Sequence, residues 1–249
     1  MSEHLYGRQC VREALAAGRR AVKTVFFAEA LRPAPILAEI SRLAEQRQAP
    51  VRYVTKQQLA SISTQHQGVA AEVSDYPYVQ FEDALSRLPA QESPLILVLD
   101  CLQDPQNFGS LLRSAEAVGV HLVVVPERRQ VGVTPAVSHA SAGAVEHLRV
   151  APVVNLRRAL QQVRDAGYLV CGLERTAASQ PYHRADVAGA LAIVVGGESE
   201  GLRRLTRETC DLLLDLPMRG HVTSLNAAVA GSVVLYEALR QRQSRSSLP

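Results

Sequence analysis

Lysine is almost missing from this chain: among 27 lysine and arginine residues, only Lys23 and Lys56 are lysines. The positive charge is therefore carried by planar guanidinium forks, the group best matched to phosphate. The same bias also follows from genome base composition, so it does not alone select a nucleic-acid partner, and a net charge of +3 is small. Cysteine is scarce too. Cys10, Cys101, Cys171 and Cys210 stand singly, with no CxxC or histidine-flanked spacing, which excludes a clustered metal site and reads as reduced, mostly buried thiols. The seven histidines are dispersed, and His121, inside an apolar run, reads as a satisfied core or edge histidine. Seven tyrosines and four phenylalanines leave few platforms for stacking unpaired bases, Tyr6 being the one candidate. No apolar run approaches the roughly 18 residues of a membrane span, and MSEHLYGRQC has no signal-peptide core. The expectation is a cytoplasmic protein with neither membrane nor metal. Two phosphate-binding signatures are also absent: VGGESEG has the wrong glycine spacing for GxGxxG, and no GxxxxGKS/T occurs. That disfavours an NAD-dependent oxidoreductase or an ATP site, and leaves open an adenosine held by backbone groups.

At 249 residues, 47% hydrophobic and 20% charged, the chain can bury one or two substantial cores. Residues 7–17 and 36–46 read as helices, and residues 22–28, 51–54 and 69–73 as strands, predicting a small α/β domain over residues 1–74. Prolines, serines and acids then take over, with only FEDALSRL offering a helical turn or two, so residues 75–94 read as a linker. In residues 95–249, strands at 95–99, 122–125, 168–173, 191–195 and 212–216 alternate with helices. These strands are continuous apolar runs, which predicts a mainly parallel sheet covered by helices on both faces.

Ligands of such sheets bind beyond the carboxyl ends of the strands. Residues 100–107, 196–201 and 217–226 occupy that position. Gly196 and Gly197 permit positive φ or close ligand approach, or merely make a tight strand-to-helix connection. The final helix, from about residue 224 to 242, is apolar nearly all round until Glu237. Its Ala227, Ala228, Ala230 and Gly231 allow close backbone approach, and it is predicted to lie against the sheet or a partner.

The segments DPQNFGSLLRSAEAVGV, VVGGESEGL and LPMRGHVTSLNAAVAGSVVLYEA, in that order, resemble the three motifs of the SpoU/TrmH ribose 2′-O-methyltransferases, within the trefoil-knotted SPOUT superfamily. Near the start, LYGRQCVREAL and HQGVAAEV resemble the ends of the small L30e-like RNA-binding domain that precedes the catalytic domain in bacterial enzymes methylating a guanosine of large-subunit ribosomal RNA. The resemblance implies an α/β protein: a small L30e-like domain, then a knotted methyltransferase domain with a mainly parallel sheet. In the knot the last strands and helix thread a loop, against the usual rule for connections. It further implies a catalytic pocket shaped by Asn107 and Arg113 of the first motif, Glu198 of the second, and Ser224 and Asn226 of the third. S-adenosylmethionine would lie against Gly196, Gly197, Leu216, Met218 and Leu225, largely on backbone groups. The implied partners are 23S ribosomal RNA, or alternatively transfer RNA, and a second copy of the chain in a homodimer whose protomers complete each other's sites.

A sulfonium methyl is already activated, so the task is to hold a ribose hydroxyl in line and manage one proton. Positioning of that kind supplies about 7–11 kcal/mol. The resemblance assigns the proton to Arg113, but a charged guanidinium has no acceptor. Its chemistry favours gripping the adjacent phosphate and stabilising the developing alkoxide, with Asn107 and Glu198 holding it in place. Plainer readings stand beside these: Arg113 in a surface ion pair, Asn107, Ser224 and Asn226 as helix caps, Glu198 paired with a helix terminus or Arg203. Arg8, Arg12, Arg128, Arg129, Arg203, Arg204 and Arg207 are candidates for contact with RNA backbone. A non-catalytic RNA-binding protein of the same fold is the rival function, and it would have no chemical reason to keep the five pocket residues together.

Overall fold

The computed structural model describes residues 2–89, 93–197 and 201–246, and Glu198 lies outside them. In chain order the elements are β1 (Ser2–Tyr6), α1 (Arg8–Ala17), β2 (Val22–Ala28), α2 (Pro35–Gln46), β3 (Val51–Val54), α3 (Lys56–Ile62), β4 (Val69–Ser74), α4 (Phe81–Ser86), β5 (Leu95–Asp100), α5 (Pro105–Ala117) and β6 (Leu122–Pro126). They continue with α6 (Pro135–Ala140), β7 (Val150–Val153), α7 (Leu156–Asp165), β8 (Leu169–Leu173), β9 (Gln180–Pro181), β10 (Leu191–Gly196), α8 (Arg204–Thr209), β11 (Leu212–Asp215) and α9 (Ala227–Ser246). Two compact units result, one of Met1–Pro77 with Val133–His147, the other of Tyr78–Gly132 with Leu148–Pro249. Among the described residues no helix is long and apolar enough to cross a membrane.

The larger unit is built on a seven-stranded sheet in the order β7-β6-β5-β10-β8-β11-β9. All its pairings are parallel. Every residue of β5, β6 and β10 is buried, as unbroken apolar runs require when helices cover both faces. On one face Ile96, Val98, Val124 and Val194 pack with Phe81 and Ala84 of α4 and with Leu156 and Leu160 of α7. FEDALSRL is therefore part of a core, and the linker expected over residues 75–94 is partly structural. On the other face a Cβ at Gly231 would lie 2.8 Å from Leu111 and 3.1 Å from Val195, so the small residues of α9 do serve close approach to α5 and β10.

Four elements were not foreseen. β7 contains Pro152 and lies at the sheet edge, where a missing N–H leaves no ladder bond unmade, while β9 is only two residues long. β1 carries one fully buried residue, Leu5, opposite Ala71, too little pattern to read. α3 begins with a capping box: Gln58 N donates to Thr55 Oγ1 (3.3 Å) and Thr55 N donates to Gln58 Oε1 (2.9 Å), so the Thr-x-x-Gln signature was legible. The last helix also starts later than expected, at Ala227, and its outward face keeps Val229 and Tyr236 half exposed (49% and 51%).

The smaller unit holds the sheet β1-β4-β2-β3, antiparallel except for the β2–β3 pair. Leu5, Val11, Leu15, Val25, Phe27 and Ile40 form its core. Residues 133–147, which the sequence places in the second domain, pack here instead. Val137 and Val145 are fully buried. Gly143 takes φ +85°, and a Cβ there would meet Glu13 at 2.6 Å, so the segment can lie on α1 only with glycine at that point. All four cysteines are unbridged, and burial raises each thiol above its ordinary range, Cys171 and Cys210 to about 12, which leaves them poorly reactive.

A buried charge cluster holds the inserted segment. The Arg20 side chain is fully buried, its Nε 2.9 Å from Glu146 Oε2 and its Nη1 donating to Glu3 Oε2 at 2.9 Å. Its guanidinium lies 4.9 Å from the Tyr76 ring centre, and Ser138 Oγ donates to Glu146 Oε1 at 3.2 Å. The Nε–Oε2 contact lacks hydrogen-bond alignment, so Coulomb attraction is its main content. Burial raises the Glu146 carboxyl above the ordinary range, against the opposing pull of Arg20. Because the folded state then holds that proton to higher pH than the unfolded chain does, this group's contribution to stability falls as pH rises through its folded pKa. Removing the cation enlarges the effect. Arg20→Ala should cost about 3–5 kcal/mol at neutral pH and clearly less in acid, where Glu146 is neutral. Urea unfolding at the two pH values measures this, and a loss independent of pH would refute the buried-charge account.

Candidate functional site

Parallel registry brings several strand exits of the larger unit to one edge. Gly196 lies opposite Asp100 and Val195 opposite Leu173, so β5, β10 and β8 end side by side. A cleft of about 590 Å³ opens there, lined by Leu173, Glu174, Arg175, Val195, Gly196, Gly197, Gly201, Ser224, Leu225, Asn226, Ala227 and Ala230. A smaller hollow of about 140 Å³ shares part of this wall and adds Leu214, Asp215, Leu216, Met218 and Thr223. The two glycines are required by the backbone itself. A Cβ on Gly196 would sit 2.3 Å from the Gly201 carbonyl carbon, and one on Gly197 would sit 2.8 Å from the Cys101 oxygen. Gly201 N donates back to Gly197 O at 3.0 Å.

Beside this crossing lies Asp100, a fully buried carboxylate at the end of β5. It accepts from Arg203 N (2.9 Å) and Arg203 Nε (2.5 Å), and so a carboxylate partner of Arg203 is Asp100. Glu198 and its neighbours up to residue 200 lie outside the described residues.

The first and third motifs meet through two asparagines. Asn107 does not cap α5. Asp104 does, accepting from Gln106 N (3.3 Å) and Asn107 N (3.0 Å), with Pro105 opening the helix. Asn226 caps α9, its Oδ1 accepting from Ala228 N (2.9 Å) and Val229 N (3.2 Å), and its Nδ2 donates to Asn107 Oδ1 at 2.9 Å. The two backbone donors leave only one sensible orientation of this amide. Farther along, Ser232 Oγ donates to Ser114 Oγ at 2.7 Å. Ser224 is exposed and lines both hollows.

Of the residues expected in the pocket, Gly196, Gly197, Leu225, Ser224 and Asn226 line the larger cleft and Leu216 and Met218 the smaller, with Asn107 tied to them by its hydrogen bond. Arg113 lines neither. It is exposed on α5, roughly 120° around the helix from Asn107, and makes no hydrogen bond or ion pair with a described residue. The sequence reading missed Leu173, Glu174 and Arg175. Their signal was available, because β8 was expected as a strand and the rule of carboxyl-end binding applied equally to its exit.

Several arginines named as RNA contacts are committed elsewhere: Arg204 to Glu208 (2.8 Å), Arg207 to Glu174 (3.3 Å) and Arg12 to Glu13 and Glu39. Tyr6 packs on the His139 ring at 4.7 Å and is not an open platform. Arg128 and Arg129 are exposed. No group of three or more metal-ligating side chains occurs among the described residues.

Residues 94–236 match the model of the SpoU rRNA Methylase family, and residues 4–79 match that of RNA 2′-O ribose methyltransferase substrate binding. A protein of Bacillus subtilis named as a TrmH family tRNA/rRNA methyltransferase, YacO, is 38% identical over 242 residues, 96% of each chain. The SpoU methyltransferase AviRb from Streptomyces viridochromogenes, solved with its cofactor AdoMet, superposes with a TM-score of 0.81 at 26% identity, over 98% of this chain and 91% of its own. A structure concerned with the 2-OH methylation of C/U34 on tRNA matches at 27% identity and a TM-score of 0.54, over 62% of this chain and 99% of its own. With the first and third motif loops joined by hydrogen bonds at one sheet edge, and family matches that together span most of its length, the chain belongs to the SpoU/TrmH family of RNA methyltransferases.

Proposed function

We propose that the protein transfers a methyl group from S-adenosylmethionine to the ribose 2′-hydroxyl of a guanosine in 23S ribosomal RNA. The observation that carries this reading is the glycine-walled cleft at the carboxyl edge of the parallel sheet, where residues of the second and third motifs converge and Asn226 reaches the first. Its volume of about 590 Å³ lies in the range of small-molecule sites. Leu173, Val195 and Leu225 suit the faces of an adenine, the backbone around Gly196 and Leu216 suits its polar edge, and the Glu174 carboxylate suits hydroxyl or ammonium donors. A cofactor solved in AviRb, a relative of the same fold, supports the assignment.

When bound, S-adenosylmethionine supplies the sulfonium methyl. The protein's part is then to bring a ribose oxygen in line and to stabilise the charge it acquires. Arg113 is the cation proposed for that role, holding the phosphate next to the target ribose. Because it lines neither hollow of its own chain, we assign it to the cleft of a partner in a homodimer. An exposed apolar stripe of Val222, Leu225, Val229 and Tyr236, on and before α9, supplies a surface for that association. Ribosomal RNA is favoured over transfer RNA because the tRNA-associated structure, matched over almost its whole length, covers only 62% of this chain.

Incubation with labelled cofactor and either unmodified 23S ribosomal RNA or transfer RNA should place 2′-O-methyl groups in the former, and base methylation or label in transfer RNA alone would overturn the assignment. Arg113→Ala and Arg113→Lys should each lose about a hundredfold or more in turnover while calorimetry finds cofactor affinity nearly unchanged. Mixed dimers of Arg113→Ala with the cleft-blocking Ser224→Trp should regain activity that neither homodimer has, whereas an arginine acting within its own chain predicts no rescue. Asn226→Asp keeps the α9 cap but removes the donor to Asn107. It should leave thermal stability within about 1 kcal/mol yet lower turnover about tenfold or more. Unchanged turnover would make the Asn107–Asn226 bond purely structural.

A further inference from the structure

The smaller unit contains a cleft of about 740 Å³ that none of the preceding chemistry uses. Arg8 at the start of α1, Ala28 and the stretch Ala30 to Arg32 after β2, Lys56 opening α3, and residues before β4 line it. Its geometry is held by the backbone. Gln67 and Gly68 both have positive φ (50° and 83°), and a Cβ on Gly68 would press to 2.8 Å from Leu31. Gly68 N donates to His66 Nδ1 at 2.8 Å, which leaves the proton of the neutral imidazole on Nε2. Gln67 in turn anchors Arg8, its carbonyl accepting from Arg8 Nε (3.0 Å) and its Oε1 from Arg8 N (3.2 Å).

The charge of this cleft is one-sided. Arg8, Arg32 and Lys56 line it, and among its described lining residues none is acidic. The side chains of Arg32 and Lys56 make no hydrogen bond or ion pair with any described residue, whereas Arg12, Arg20 and Lys23 of the same unit are paired with carboxylates. Beneath the cations the wall is apolar, formed by Ala28, Ala30 and Leu31. A cationic rim over an apolar wall matches a nucleotide, with its phosphate at the rim and its base face below. A duplex keeps its bases stacked inside a rod and cannot fill such a concavity, while an unpaired strand can turn a base into it.

We propose that this cleft holds one nucleotide of an unpaired RNA strand, its phosphate against Arg8, Arg32 and Lys56 and its base against Ala30 and Leu31, with His66 Nε2 available as a donor. The proposal rests on the RNA-methyltransferase reading and names how the substrate is held outside the methyl-transfer site. A labelled mixed-sequence oligoribonucleotide, single-stranded or annealed to its complement, is the probe, tested against the full-length protein. Arg32→Glu/Lys56→Glu should weaken single-strand binding about tenfold or more and flatten its salt dependence by about 0.7 in log–log slope, the value for one lost phosphate contact. The charge-matched control Arg42→Glu/Arg52→Glu, at exposed positions outside the cleft, should cost about twofold at most. Methylation should show a raised KM for RNA with kcat and cofactor affinity unchanged. Single-strand affinity within twofold of wild type, an equal loss in the control, or an equal loss for duplex would each overturn the proposal. If the wild-type protein methylates RNA and the cleft variant keeps its KM, this inference falls and the enzyme reading stands. If it methylates no RNA while single-strand binding still depends on the cleft, the reverse holds.

Discussion

Everything at the carboxyl edge of the parallel sheet depends on how closely two stretches of backbone pass one another. The end of β10 runs against Gly201 on one side and the Cys101 carbonyl on the other, at separations where even a methyl group has no room. A side chain at position 196 would collide with the Gly201 backbone, and one at position 197 with the Cys101 carbonyl. The same close passage brings Arg203 to Asp100. That carboxylate is fully buried at a strand end, and without the two donors of Arg203 its desolvation would be uncompensated. Glycine spacing and the buried Asp100–Arg203 pair thus meet at one close passage of backbone.

A second constraint acts between α5 and α9. Their contact is made by small residues and short polar bridges, Gly231 against Leu111, Ser232 to Ser114, and Asn226 to Asn107. Asn226 satisfies two backbone donors of its helix and still has an N–H for the neighbouring one, so helix capping and site assembly are the same set of bonds. The capping reading holds for Asn226, and for Asn107 it fails because Asp104 holds that position.

Arginine is used in two ways in this chain. Arg20, Arg203 and Arg207 are structural, tied to Glu146, Asp100 and Glu174, where a planar fork can serve several acceptors at once. Others, such as Arg32 and Arg113, have no carboxylate partner among the described residues and remain available to an anion from outside. Composition could not separate these groups, since pairing depends on which acids the fold places nearby.

Much of the architecture was legible from local pattern. The buried strands β5, β6 and β10, the glycine pair, the small-residue helix and the chain order of the motif loops all follow from apolar runs and residue size, which act over a few neighbours in the chain. The Thr-x-x-Gln start of α3 is equally local, whereas β1, with only Leu5 buried, offers no period to detect. Only the tertiary structure decided that β8 stands beside β10 and adds Glu174 to the cleft, that residues 133–147 join the smaller unit through Arg20 and Glu146, and that Arg113 lines neither hollow of its own chain. Strand order and charge pairing across a hundred residues are set by the summed packing of the whole core, and the direction of a side chain depends on its helix's rotation against that core. Neither quantity is written in any local stretch of residues.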